Sequence, residues 1–189
     1  RSFDLEYTSI GAQVGGSASW GVVLALGLSS VEAIEGSYTG DVASAAPIAA
    51  VEYYHAGFGH YFLTAQADEI AGLDGGAYGG VWTRTGYTFG VWTSGTGLFD
   101  MCRFFQVYYA PRSSHFYTPL DYECAGLIAS SFVWEYEKIA YKVKLPSAGV
   151  CPAGSIPLYR LYNNGMSGAP NHRYTTSLSP RSQMIGVGW

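Results

Sequence analysis

The sequence predicts a mainly β fold with short helices: three ββαβ-like repeats set about a common axis, preceded by a β-rich N-terminal arm. Three observations predict it. A His-x-aromatic run occurs three times, as His60-Tyr61-Phe62-Leu63, His115-Phe116-Tyr117-Thr118 and His172-Arg173-Tyr174-Thr175. Each run sits in the same order of features: an aromatic-rich stretch, a Gly/Asn/Ser turn, the run itself, a short helix-like segment and a Trp. The histidines lie 55 and 57 residues apart, and Trp82, Trp134 and Trp189 lie 52 and 55 apart, so two markers keep one period. One such unit cannot bury both faces of its strands. Three around an axis share a core and cover one another's edges.

Residues 1–48 are rich in Gly, Ala, Ser and Val and contain no His or Cys. Phe3-Asp4-Leu5-Glu6-Tyr7 alternates as a strand does, and Val14-Gly15-Gly16 reads as a turn. Residues 20–28 read as a buried strand, because their glycines disfavour a helix, and residues 41–50 read as a linker. This part is expected to be the remnant of an upstream β-domain or an arm that packs elsewhere.

The first unit spans 51–93. Val51-Glu52-Tyr53-Tyr54-His55 turns at Gly57-Phe58-Gly59 into the first His run; Thr64 caps a helix over 65–73, and Trp82 with a strand over 85–92 closes the unit. The second spans 102–146. Cys102-Arg103-Phe104-Phe105 leads through Pro111-Arg112-Ser113-Ser114 to the second run, and Thr118 caps a helix with Pro119 first, where a missing N–H costs nothing. Trp134 and a strand over 137–145 follow. The third spans 157–189: Leu158-Tyr159-Arg160-Leu161-Tyr162, the turn Asn163-Asn164-Gly165, the third run, a helix start at Ser179-Pro180, and Trp189. It has no closing strand after its helix. That edge is expected to take the N-terminal arm or a strand from another chain, the latter giving a dimer or fibre. The tryptophans and aromatic pairs are expected to fill the shared core.

Hydrophobic residues make up 48% and charged residues only 13%, with 25 Gly and 16 Tyr, a composition that suits a β-rich extracellular protein. Aromatic residues at 16% argue against disorder. A net charge of −4 argues against nucleic acid as partner. The charge is uneven: residues 1–100 carry ten acids and two bases, while beyond Glu137 there are six bases and no acid. Neutralisation within one fold, head-to-tail attraction between copies, and docking of an anionic polymer are the three readings. The longest apolar run, 20–28, is about half a membrane span. The start at Arg1 rather than Met is expected of a piece of a larger secreted protein. Three cysteines without a Cys-x-x-Cys pair argue against zinc or thioredoxin-like chemistry. Cys102–Cys124 is the expected disulfide, in an oxidising compartment, which leaves Cys151 either with a partner elsewhere or in a different connectivity.

Leu158-Tyr159-Arg160-Leu161-Tyr162-Asn163, His115-Phe116-Tyr117-Thr118, Trp134 and Glu137-Lys138-Ile139-Ala140-Tyr141 resemble a repeat family of unknown function found in secreted bacterial proteins, often as a C-terminal module. Its pattern runs Tyr-Arg-Phe-Tyr-Asn, His-Phe-Tyr-Thr, a Glu-containing helix, Trp and Glu-Gly-Ile-Ala. The resemblance covers about residues 51–189. It implies a secreted accessory module of β-trefoil-like, pseudo-threefold form and no known catalysis. The first unit departs from the pattern, lacking the Arg and Asn of the opening strand.

The ligand-binding candidates are His60, His115 and His172, each beside an aromatic residue: Tyr54, Phe105 or Tyr162. They read either as structural histidines bonded to loop backbone or as one polar contact per repeat in a shallow sugar pocket. Asn163 and Asn164, with Tyr78, Tyr108 and Tyr109, fall in turns and are further contact candidates. His55 and His60 are a weak metal pair. Asp68/Glu69 and Asp121/Glu123 lie where acids favour a helix start, and the third unit has no such pair. No catalytic motif is found, and no cofactor is called for. The expected role is a secreted, non-enzymatic module that binds glycan or a cell-surface polymer. The alternatives are a structural subunit of an extracellular assembly joined by strand addition from residues 1–48, which entails self-association, and a fragment of a secreted hydrolase.

Overall fold

The computed structural model describes residues 23–27 and 46–189. The strand expected at residues 3–7 and the turn at 14–16 lie outside them. In chain order the elements are β1 (Val23–Gly27); β2 (Ile48–His55), β3 (His60–Thr64), α1 (Ala67–Asp74) and β4 (Trp82–Val91); β5 (Phe99–Gln106), β6 (His115–Thr118), α2 (Asp121–Ala129) and β7 (Trp134–Val143); β8 (Ser155–Tyr162), β9 (His172–Thr175) and α3 (Leu178–Gly186). All strand pairs are antiparallel. One sheet runs β3-β2-β4-β1-β8-β9 and the other β6-β5-β7; no closed barrel forms among the described residues. The fold is thus mainly β with three short helices. The opening strand of the first unit starts at Ile48, inside the stretch read as linker.

Strand register shows which residues correspond. Val51 faces Thr64, Cys102 faces Thr118 and Tyr159 faces Thr175. Leu63, Tyr117 and Tyr174 therefore hold one position, and all three are buried. Ala50, Met101 and Leu158 hold another, each fully buried. Phe89 and Tyr141 face the first two of these across β4 and β7, and Val91 and Val143 lie two residues further on. These residues make up most of the central apolar cluster. In the third unit β1 takes the closing-strand place: Leu24 pairs with Leu158 and Leu26 with Ile156, the register positions of Phe89 and Val91 in β4. The open edge inferred from the sequence is filled by the N-terminal arm.

Register also corrects the alignment of the histidines. Tyr61, not His60, corresponds to His115 and His172. The hairpin turns differ in length, and the strands are aligned by the inward Leu63, Tyr117 and Tyr174. A pairing shift of one residue would turn these outward. Two helices likewise begin later than expected, α1 at Ala67 and α2 at Asp121, while α3 begins at Leu178, just ahead of Ser179-Pro180. Thr64, Thr118 and Thr175 accept the N–H of Gln66, Leu120 and Ser177 at 3.0, 3.2 and 3.1 Å, and these three residues are the N-caps. Pro119 thus precedes α2 instead of opening it. Trp82, Trp134 and Trp189 are half-buried outside the central cluster. Trp82 meets Phe62 edge to face, Trp134 lies tilted against Phe116, and Trp189 meets Tyr61 edge to face. They brace the hairpins and do not fill the core.

Strand and helix are joined at one corresponding place in three ways. The second unit uses the Cys102–Cys124 disulfide. The first packs Val51 and Ile70 into one apolar cluster, and the third lays Arg181 over the Tyr159 ring at 4.7 Å.

Buried ion pairs join the units. The Thr64 hydroxyl donates to Glu69 at 2.5 Å, and Thr118 donates to Glu123. Arg103 of the second unit forks onto Glu69 at 2.8 and 2.7 Å, with its cation 5.4 Å from the Phe62 ring centre. Arg160 of the third unit forks onto Glu123 at 2.9 and 3.0 Å and lies 4.9 Å from Phe116. At the remaining junction the charges are exchanged. Glu52 stands at the strand position of Arg103 and Arg160, and it takes two bonds of 2.9 Å from Arg173, which stands at that of Phe62 and Phe116. Pro180 replaces the helix Glu of the third unit. Among the described residues, Glu52, Glu69 and Glu123 are thus each paired with a base of another unit.

Burial pushes the Glu69 carboxyl up, but Arg103, Thr64 and Lys138 outweigh it and hold it at about 2. Arg103→Ala would leave Glu69 and Glu137 without their buried cation and is expected to cost about 3–5 kcal/mol. Arg84→Ala, which removes the exposed pair with Asp74, is expected to leave stability nearly unchanged. Urea midpoints of the two variants check the contrast; equal shifts would contradict it.

Candidate functional site

The three hairpin turns meet at one end of the molecule. His60, Ser114 and Asn171 occupy one register position at the entry to the second strand of each hairpin, His60 as the first residue of β3 and the other two just before β6 and β9. His60 Nδ1–H donates to Ser113 O at 3.0 Å, Ser114 Oγ–H to Pro170 O at 2.8 Å, and Asn171 Nδ2–H to Gly59 O at 2.9 Å. Each bond runs to the residue just before the corresponding position in the next unit, so the three close a ring. A carbonyl can only accept, which fixes the His60 tautomer with its proton on Nδ1. His60 is buried, and burial pushes its pKa below the usual value despite the bond to Ser113.

Above this ring, cross-strand neighbours meet in pairs: Tyr54 with Tyr61 at 4.9 Å between ring centres and Phe105 with His115 at 5.1 Å, both tilted, and Tyr162 stacked with His172 at 4.9 Å. The second member of each pair also reaches the neighbouring unit. His115 lies 4.6 Å from Phe62, His172 lies 4.9 Å from Phe116, and Tyr61 lies 4.1 Å from the Arg173 cation. His115 Nε2 also approaches Glu137 at 3.3 Å. The structure therefore brings Tyr54, Phe105, Tyr162, His115 and His172 together pairwise at the junctions and not around one pocket. The crevice lined by Glu52, Tyr61, Leu63, Tyr117, His172 and Tyr174 has no room for a water molecule. Burial first, and then the Arg160 charge, push His172 down to about 3.

Asn163 is buried and donates to Met166 O and Ala169 O, while its Oδ1 accepts from Gly165 and Asn171 N–H. That exhausts its two donors and two lone pairs, so its side chain staples the turn. Asn164 is exposed and donates to Gly188 O at 2.7 Å. His55 accepts the Phe58 N–H at 3.1 Å and stacks on that ring. Among the described residues no group of three or more His, Cys, Asp or Glu converges as metal ligands. Asp68 and Asp121 are exposed, while Glu69 and Glu123 are committed to Arg103 and Arg160. Cys151 is unpaired and half-buried, and burial raises its thiol pKa.

Four large aromatic side chains are among those left outward at this end. Tyr108 and Phe132 are 72% and 76% exposed, Tyr109 is 40% exposed, and Tyr78 on the corresponding helix-exit loop of the first unit is 79% exposed. Val107 N–H donates to Val133 O at 3.1 Å, tying the two loops of the second unit together, and Arg112 N–H donates to Tyr109 O at 2.8 Å. The Tyr108 and Tyr109 rings meet edge to face at 5.1 Å. The sequence reading missed Phe132; its signal was a large apolar residue in a loop after Ser130-Ser131, off the period of the helix.

Fold and site define a β-rich repeat protein whose units interlock through buried ion pairs and present their turns at one end. A family profile described as a domain of unknown function, DUF5648, matches residues 49–189, and the chain belongs to that family. No curated protein and no solved structure matches the chain. No helix among the described residues is long and apolar enough to cross a membrane.

Buried His60 and half-buried His172 set an acid limit. His172 keeps its neutral form in the fold down to about pH 3, whereas the unfolded chain takes up that proton below about 6.5. Its contribution is complete above 6.5 and is lost as pH falls from there towards 3; His60 acts in the same direction. Glu69 adds a second loss between about 4.5 and 2. Melting temperature is expected to fall between pH 7.5 and 5, and His172→Phe to flatten that slope. A wild-type profile level across this range would contradict the assignment.

Proposed function

We propose that the chain is a secreted, non-enzymatic module that binds glycan or another cell-surface polymer through the aromatic turns of one end, its three units set about a pseudo-threefold axis as in a β-trefoil. The observation that carries this reading is the exposure of Tyr108, Tyr109 and Phe132 on two loops bonded to each other. Large rings held on fixed loops in water present flat apolar faces, and the C–H faces of sugars stack on such rings with little ordering cost. Tyr78 offers a second contact of the same kind. The histidines and Asn163 serve this site from beneath, by fixing the turns. The Cys102–Cys124 bond supports an oxidising, extracellular setting.

A glycan array followed by titration calorimetry tests the reading. Tyr108→Ala and Phe132→Ala are each expected to weaken binding by about tenfold or more while leaving the melting temperature unchanged. An array that stays blank, or variants that bind as tightly as the parent, would remove the reading.

A further inference from the structure

We propose that the closing-strand place of the third unit also receives Val23–Gly27 from a second copy of the chain, so that two copies exchange β1 and form a dimer. In the first two units the closing strand follows its own helix after a short loop. The third unit instead takes β1 from far upstream in sequence. β1 is held by a five-residue antiparallel ladder with β8, from Val23↔Tyr159 to Gly27↔Ser155, and by one pair with β4, Gly27↔Gly90.

The number of residues between β1 and β2 does not decide which copy supplies the strand. Gly90 is the register partner of both Gly27 and Ala49, which therefore lie on either side of β4. Two strand spacings put them about 10 Å apart. The 21 residues between Gly27 and Ala49 have a contour length of roughly 70 Å, several times the gap. What selects β1 is thus the ladder and its apolar register positions, and both are identical in a second copy. Leu24 and Leu26 hold the places that β4 fills with the buried Phe89 and Val91, and Leu24 pairs with the fully buried Leu158. An unfilled place would expose Leu158 and the β8 edge, so a strand that leaves one copy is replaced by the strand of another. Dilution favours the chain's own strand and concentration favours the exchange; reciprocal exchange closes a two-fold dimer with no free edge at this site.

The test uses the full chain, without glycan, so that its outcome is separate from that of the surface-binding reading. Two pools carrying different fluorophores are mixed over a concentration series and followed by light scattering behind a sizing column and by energy transfer. The expected result is a dimer fraction that rises with concentration, with energy transfer developing in step. An excess of a synthetic peptide of residues 21–29 should suppress both, and Leu24→Asp with Leu26→Asp should abolish the dimer. A chain that stays monomeric up to millimolar concentration overturns the proposal. So does a dimer indifferent to the peptide, a comparison that decides the matter even if the double variant does not fold.

Discussion

The fork of Arg103 onto Glu69 sets the terms for the rest of the structure. The carboxylate is placed by Thr64 within its own unit, and the guanidinium comes from the next. Neither charge is stable alone at that depth, because an unpaired buried ion costs several kcal/mol. The first unit is complete only when the second is docked. The same dependence passes from the second to the third through Glu123 and Arg160, and returns to the first through Glu52 and Arg173. The exchanged charges at the last junction also set the order of the units. Glu52 needs a cation at the position where the second unit carries Phe116, so only the third unit satisfies it.

This interlocking explains why the polar residues that look most like a site are already in use. His60, Ser114 and Asn171 close the hydrogen-bond ring, and His115 and His172 pack against Phe62 and Phe116 across the junctions. With the base of each turn fixed, the outer parts of the loops are free to differ in length and content without cost to the core. The second unit uses that freedom to hold Tyr108, Tyr109 and Phe132 in water. Rigidity below and aromatic exposure above are the two properties a sugar-stacking surface needs.

Much of this was legible in the sequence. The period, the three hairpin-helix units and the Cys102–Cys124 bond follow from matched spacing and from the place of each cysteine within its unit. The position of His60 was not legible, because a His-x-aromatic pattern can be slid by one residue, and only the inward run of Leu63, Tyr117 and Tyr174 fixes it. The tryptophans were misplaced because recurrence at matched positions argues for a shared core, while the stations of Trp82 and Trp134 at the start of β4 and β7 follow from pairing. Thr64 and Thr118 were read as helix caps since their type fits; their hydroxyls instead tie Glu69 and Glu123 for the neighbouring arginines. The Glu52–Arg173 pair joins positions 121 residues apart and breaks the repeat pattern at both ends, so no periodicity could announce it.

Differential scanning calorimetry of the full chain tests the interlocking most directly. If each unit needs both neighbours, the three melt together, and the calorimetric and van't Hoff enthalpies agree for a single transition. Arg173→Ala should then lower that one transition without dividing it. Separate transitions in the parent chain, or a first unit that melts apart from the others, would show that the units stand independently.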